Sequence, residues 1–234
     1  MTTTHAAKSA FIAGGTSFTG RAVAHQDADA HGVDLKLQVR PGSKNKALLD
    51  DDPRICEVAL DDHDGLVAAM QGCDCVVQLI GTVMARFNED GDYEAVDYGT
   101  TVQLVAAAKA AGVPHFALLS SVGAGTGMGP YLSWKKKTEQ HVKDSGLGYT
   151  LVRPSYLAGD DVFTDRKKLT NTTAFLGGMS DSPLGAPFAI IRPIPIQGLA
   201  RAFLQLVHDG PVNGVLTGQQ LFRVVRKADD HFNS

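Results

Sequence analysis

The sequence predicts a doubly wound α/β fold, a parallel sheet covered by helices on both faces. Three observations lead there. Short apolar runs alternate with longer amphipathic stretches from residue 9 to residue 152. Most of the runs are apolar nearly throughout, as in strands buried on both faces. Turns rich in Gly and Pro punctuate the rhythm, and 25 of the 234 residues are Gly. With 44% hydrophobic residues the chain can bury one sizeable core, so a single domain over residues 1–234 is expected.

Ser9–Ala13 reads as a first strand that breaks at Gly14, and Phe18 to about Ala28 as a helix. Leu35–Arg40 is a second strand, stopped by Pro41-Gly42, and Ser43–Leu49 is a short helix with a serine at its N-cap. Ile55–Leu60 forms a third strand, and a helix runs from Asp62 or His63 to Met70. Cys75–Ile80 is a fourth strand, followed by apolar residues at helical spacing from Asp92 to Ala111. Phe116–Leu119 is a fifth strand, Tyr131 to about Asp144 a helix, and Tyr149–Val152 a sixth strand ended by Arg153-Pro154. The rhythm then fails. Gly159–Pro187 is rich in Gly, Ser, Asp, Asn and Pro, and residues 155–195 are expected to cover a substrate. Ile196–His208 returns to helix, with a short strand and a frayed tail beyond it.

Composition excludes several classes of function. The formal net charge is −3 with no long basic block, so no nucleic-acid partner is expected. Met1–His5 lacks the apolar core of a signal peptide. No apolar run approaches the roughly 18 residues of a membrane span, so no membrane partner is expected. Cys56, Cys73 and Cys75 form no disulfide framework, which points to a reducing, cytoplasmic setting. Cys73 and Cys75 lack a second pair to complete a metal site, and no metal is expected.

The first chemical signal is Gly14-Gly15-Thr16-Ser17-Phe18-Thr19-Gly20, which follows a strand and opens a helix. A dinucleotide-binding Rossmann loop requires that context. Gly14 suits the tight turn and Gly20 the close packing of helix on strand. The N–H groups of Thr16, Ser17, Phe18 and Thr19 are expected to face the pyrophosphate, aided by the helix dipole. Ser17 stands where glycine lets the backbone approach the phosphates; it either crowds them or offers its hydroxyl. Twenty residues beyond Gly20, where an NAD site places an acidic residue, the chain has Arg40. A guanidinium suits a 2′-phosphate, with Ser43 and Lys44 assisting, so NADP(H) is the expected cofactor ahead of NAD.

The second signal is Tyr131-Leu132-Ser133-Trp134-Lys135. Spacing i, i+4 puts phenol and ammonium on one helix face, where the cation favours phenolate. Such a phenol can exchange a proton with a carbonyl or alcohol oxygen. Lys136 and Lys137 read as a solvated helix face, and Ser120-Ser121 reads equally well as a capped strand end.

In this order the motifs resemble the atypical, NmrA-like and Tat-interacting-oxidoreductase-like branch of the short-chain dehydrogenase/reductase superfamily. The resemblance runs from the first strand to about Ala200. It rests on the glycine loop, Val96-Asp97-Tyr98-Gly99-Thr100, Leu118-Leu119-Ser120-Ser121-Val122-Gly123, Tyr131–Lys135, Leu151-Val152-Arg153-Pro154 and Arg192-Pro193-Ile194-Pro195-Ile196. It implies that Tyr131 is the general acid or base and that Lys135 holds the nicotinamide ribose. Ser121, with Ser120 as fallback, would bind the substrate oxygen, and Gly81-Thr82 would line the cofactor ribose. The implied function is NADP-dependent hydride transfer to or from a small carbonyl or alcohol, with a homodimer permitted. The alternative is a regulatory or scaffold protein that binds the dinucleotide without turnover. Asp97 departs from the pattern: many relatives have an asparagine there that supports a proton relay.

Overall fold

The computed structural model describes residues 7–49, 52–81, 93–159 and 192–232. Strands β1 (Lys8–Ala13), β2 (Val33–Val39), β3 (Ile55–Glu57), β4 (Cys75–Gln78), β5 (His115–Leu119) and β6 (Gly148–Arg153) are followed by β7 (Leu157–Ala158), β8 (Ile194–Pro195) and β9 (Gly214–Thr217). Seven of them form one sheet in the order β3-β2-β1-β4-β5-β6-β9, while β7 and β8 pair separately. Every pairing in the large sheet is parallel. The order reverses between β1 and β4. In open α/β sheets, ligands bind in the crevice beyond the strand ends at such a point.

Alternation along each strand feeds two cores. Ala10 and Ile12 of β1 join one core, Phe11 and Ala13 the other. The first is closed by α1 (Phe18–Ala24), α5 (Ile196–Asp209) and α6 (Gly218–Phe232), through Val23, Phe203 and Leu221 among others. The second is closed by α2 (His63–Met70), α3 (Thr100–Ala110) and α4 (Gly129–Lys143), through Met70, Leu104 and Val142. Phe11, Phe116 and Phe203 are fully buried, and each contributes about 1.5–3 kcal/mol relative to exposure.

Three expectations about elements need correction. Helix α1 stops at Ala24, before the expected Ala28, because Gln26 N–H bonds Val23 O in a tightened i−3 turn. Ser43–Leu49 is a 3₁₀ turn over Lys44–Leu49. The largest difference is at the C-terminus. The expected short strand is β9, the seventh of the sheet, and the expected frayed tail is instead the 15-residue helix α6. Leu221, Val225 and Ala228 form its buried stripe, and Arg201 of α5 bridges Asp229 at 2.6 Å. A Cβ at Gly198 would lie 2.9 Å from Val225 Cγ1, so glycine permits the close approach of α5 and α6. The stretch expected to cover the substrate lies largely outside the described residues.

Candidate active site

The site collects at the carboxyl ends of β1, β2, β4 and β5. Gly14 leaves β1 with φ +88, a left-handed conformation that side chains resist. Its N–H donates to Gln38 Oε1 at 3.0 Å, and Gly15 N–H donates to Gln38 O at 2.9 Å. Gln38 is 1% exposed and also donates from Nε2 to Val58 O at 2.8 Å. This glutamine on β2 therefore anchors the glycine turn from beneath. A Cβ on Gly20 would fall 2.1 Å from Gly14 O, so the helix start is pressed onto the turn, as the sequence suggests. Arg21 braces it by donating from Nη1 to Thr16 O at 2.8 Å.

Ser17 has a role beyond the two expected of it. It is the N-cap of α1, and its Oγ accepts from Gly20 N–H at 3.0 Å. Its own N–H donates to Gly14 O at 2.9 Å, closing the turn. The expected set of four phosphate-facing N–H groups therefore loses Ser17. Thr19 is buried and Phe18 half-buried against the core, so the loop presents backbone more than side chains there.

Arg40 follows β2 immediately and is exposed. With Pro41, Gly42, Ser43, Lys44 and Asn45 it lines an open cavity of about 420 Å³. The three residues expected at the 2′-phosphate thus share one polar depression two residues past Gln38. Gly81 follows β4 and lies against Lys135 and Asp97, since a Cβ there would sit 2.9 Å from Lys135 Nζ and 3.0 Å from Asp97 Oδ1. Thr82 is outside the described residues.

Tyr131 and Lys135 lie one turn apart on α4, with Lys135 Nζ 5.7 Å from the Tyr131 ring centroid. Lys135 is 6% exposed, and its ammonium pairs with Asp97 Oδ1 at 2.6 Å. Burial alone would pull this lysine down. The charge of Asp97, with smaller contributions from Tyr131 and Glu139, outweighs burial and holds it above the ordinary lysine range. Asp97 sits in a π-turn, Glu94–Gly99, that runs into α3. The ring of Tyr93, just before that turn, meets Tyr131 edge-on at 5.4 Å. Burial, then the charges of Tyr131 and Asp97, push the Tyr93 phenol up.

Beyond β5 the two serines separate in role. Ser120 is buried and donates from Oγ to Glu139 Oε1 at 2.5 Å. Arg153, at the end of β6, donates from Nε to the same oxygen at 2.7 Å and from Nη2 to Glu139 Oε2. Glu139 is four residues past Lys135, so α4 carries Tyr131, Lys135 and Glu139 on one face. Ser121 is half-buried, and among the described residues its hydroxyl donates to Val122 O at 3.3 Å. Tyr93, Gln38 and Glu139 carry no motif signal. The i, i+4 spacing of Glu139 was the available clue.

Among the described residues no helix is long and apolar enough to cross a membrane, and the three cysteines are free thiols.

Comparison with known proteins agrees. The model of an NAD(P)H-binding family matches residues 14–182. An uncharacterized chloroplastic protein of Arabidopsis thaliana is 32% identical over 171 residues, 65% of this chain and 60% of that one. Sanguinarine reductase of Eschscholzia californica is 36% identical over 82 residues, 31% of this chain and 30% of the reductase. The chain thus spans less than two thirds of the length of these relatives. In fold it resembles the Bordetella bronchiseptica enzyme WbmH, solved in complex with NAD+, with a TM-score of 0.64 and 17% identity, covering 90% of this chain and 75% of that one. With its motifs in order on a parallel Rossmann sheet, the chain belongs to the NAD(P)H-binding family of the atypical short-chain dehydrogenase/reductase superfamily.

Proposed function

We propose that the protein is an NADP(H)-dependent oxidoreductase acting on a small carbonyl or alcohol. The observation that carries this reading is Tyr131 set one turn above the buried cation Lys135, beside the β1–β4 crevice. A bound nicotinamide supplies or accepts the hydride. In reduction, Tyr131 gives its phenolic proton to the carbonyl oxygen as the carbon gains hydride; in oxidation it takes the alcohol proton back. Lys135 donates to the ribose hydroxyls and stabilises the phenolate left after proton transfer. The Ser121 hydroxyl donates to the substrate oxygen and orients it. The glycine turn and the N-terminus of α1 would hold the pyrophosphate, and Arg40, Ser43 and Lys44 would hold the 2′-phosphate. Free thiols favour a reducing compartment, and we infer the cytoplasm, although the Arabidopsis relative is chloroplastic.

Each charged hydrogen bond to the 2′-phosphate contributes about 1.5–3 kcal/mol. NADPH should therefore bind at least about tenfold tighter than NADH. Titration of nucleotide fluorescence with wild type and Arg40→Ala tests this. Equal dissociation constants, or no change on substitution, overturn the cofactor preference, and no affinity for either nucleotide overturns the whole reading. A carbonyl panel with NADPH then separates an enzyme from a protein that binds without turnover.

A further inference from the structure

Lys135 has too little solvent to stay charged unaided. A lysine this deeply placed sheds its proton unless an anion meets it. Asp97 meets it at 2.6 Å and is itself 2% exposed. The carboxylate is carried there by the π-turn Glu94–Gly99, a wider turn of a kind often found at functional sites. The backbone at this point is tied to the sheet: Thr101 Oγ1 donates to Asp97 O at 2.6 Å and accepts from Gln78 Nε2 at 2.8 Å. From the end of β4, Gly81 closes over the pair with no room for a side chain against either charge. Among the described residues, the charged and titratable groups that face Lys135 are Asp97 from the π-turn, and Tyr131 and Glu139 from its own helix. Tyr93 faces Tyr131 and Asp97.

We propose that Asp97 is a positioning residue for Lys135: its carboxylate keeps the buried ammonium charged and fixed beneath Tyr131, so that a ligand entering the crevice meets a standing cation. That the ligand is a nicotinamide ribose is taken from the proposed function; that Asp97 holds the charge is not. In place of an asparagine-supported water chain, this site has a direct ion pair. The exchange of Asn for Asp at this position alters how the lysine is held and leaves its cationic role intact.

The test follows the lysine itself. Protein labelled with ¹³C at lysine Cε is titrated by proton–carbon correlation spectra, and the Lys135 signal is assigned by its loss in Lys135→Met. In wild type the signal should stay at the charged position through the ordinary lysine range. In Asp97→Asn, which keeps shape and removes charge, the midpoint should fall by at least about one pH unit. NADPH affinity should then weaken about tenfold per pH unit above that midpoint, while wild type stays flat over the same interval. A purely structural Asp97 would change stability without moving either profile. Equal Lys135 midpoints in the two proteins overturn the proposal. If Asp97→Asn does not fold, wild type alone decides: a midpoint below the ordinary lysine value refutes the role, and one above it supports it. If NADPH binds neither protein, the oxidoreductase reading fails, and the lysine titration still decides what Asp97 does.

Discussion

Glu139 offers the sharpest perturbation outside the reacting groups. Its side chain is 2% exposed and that of Arg153 is 18% exposed. One carboxylate accepts the Ser120 hydroxyl and two guanidinium N–H groups, joining α4 to the ends of β5 and β6. Glu139→Ala leaves Arg153 charged and without its anion, and Ser120 without its acceptor. Removing one partner of a buried pair costs about 3–5 kcal/mol. Arg153 keeps partial access to water, which sets the loss near the lower end, about 3 kcal/mol. Against a total stability of about 5–15 kcal/mol this is a large fraction. A melting shift of about 6–12 °C should follow for a domain of this size. Urea unfolding of wild type and Glu139→Ala measures it, with an unchanged slope showing that the loss is one of stability. The physical cause is separable, because Glu139→Ala combined with Arg153→Met removes the stranded charge and should recover much of the loss. A single-variant loss below about 1 kcal/mol, or additive losses in the double variant, would refute the claim that this pair braces the site.

Tyr131→Phe should lower turnover by about 10²–10⁴-fold while leaving NADPH affinity nearly intact, since the ring and its packing against Tyr93 remain; wild-type turnover on an active substrate would remove Tyr131 from the chemistry. Gln38→Leu should strand Gly14 N–H and Val58 C=O, costing about 1–3 kcal/mol for each, and should weaken NADPH binding in the same titration that tests Arg40; unchanged binding would mean the glycine turn stands without its anchor. Burial lowers His115 from the ordinary histidine value to about 4. The unfolded chain therefore binds a proton that the folded one refuses between about pH 6.5 and 4, and stability falls as pH falls through that window, by about 2 kcal/mol at pH 5. Urea midpoints at pH 7.5 and 5 should show His115→Gln losing less than wild type, and parallel losses would sink the assignment to this histidine.

Most of the fold was legible because its determinants are local. A short apolar run, repeated six times and most often closed by Gly or Pro, leaves a parallel sheet as the arrangement that buries every run, and strands β1 to β6 fall where the runs do. The C-terminal helix shows where local reading stops. Leu221, Val225 and Ala228 recur at helical spacing, but Arg223, Arg226, Lys227, Asp229 and Asp230 lie among them and give the stretch a polar average. Its stability comes from contacts with α5 across sequence, through Gly198 and the Arg201–Asp229 bridge. A helix whose partner is distant can resemble a tail until the partner is placed.

The site divides along the same line. The glycine turn, Arg40 and the Tyr131–Lys135 pair are spacings within one or two elements, so the chain displays them. Gln38, Glu139 and Asp97 act across elements, and only topology brings them to their partners. Ser17 and Asp97 both read as departures from a pattern, and the fold explains each differently. Ser17 stands where glycine was expected and uses its oxygen to cap α1. That bond satisfies the Gly20 N–H, one of the donors a helix start leaves without a partner. Asp97 stands where asparagine was expected and answers a need created by burial itself. An asparagine could accept from a lysine, but it could not balance the charge of one that is 6% exposed. The more deeply a fold buries a cation, the more it requires an anion beside it, and the acid at residue 97 answers the burial of residue 135.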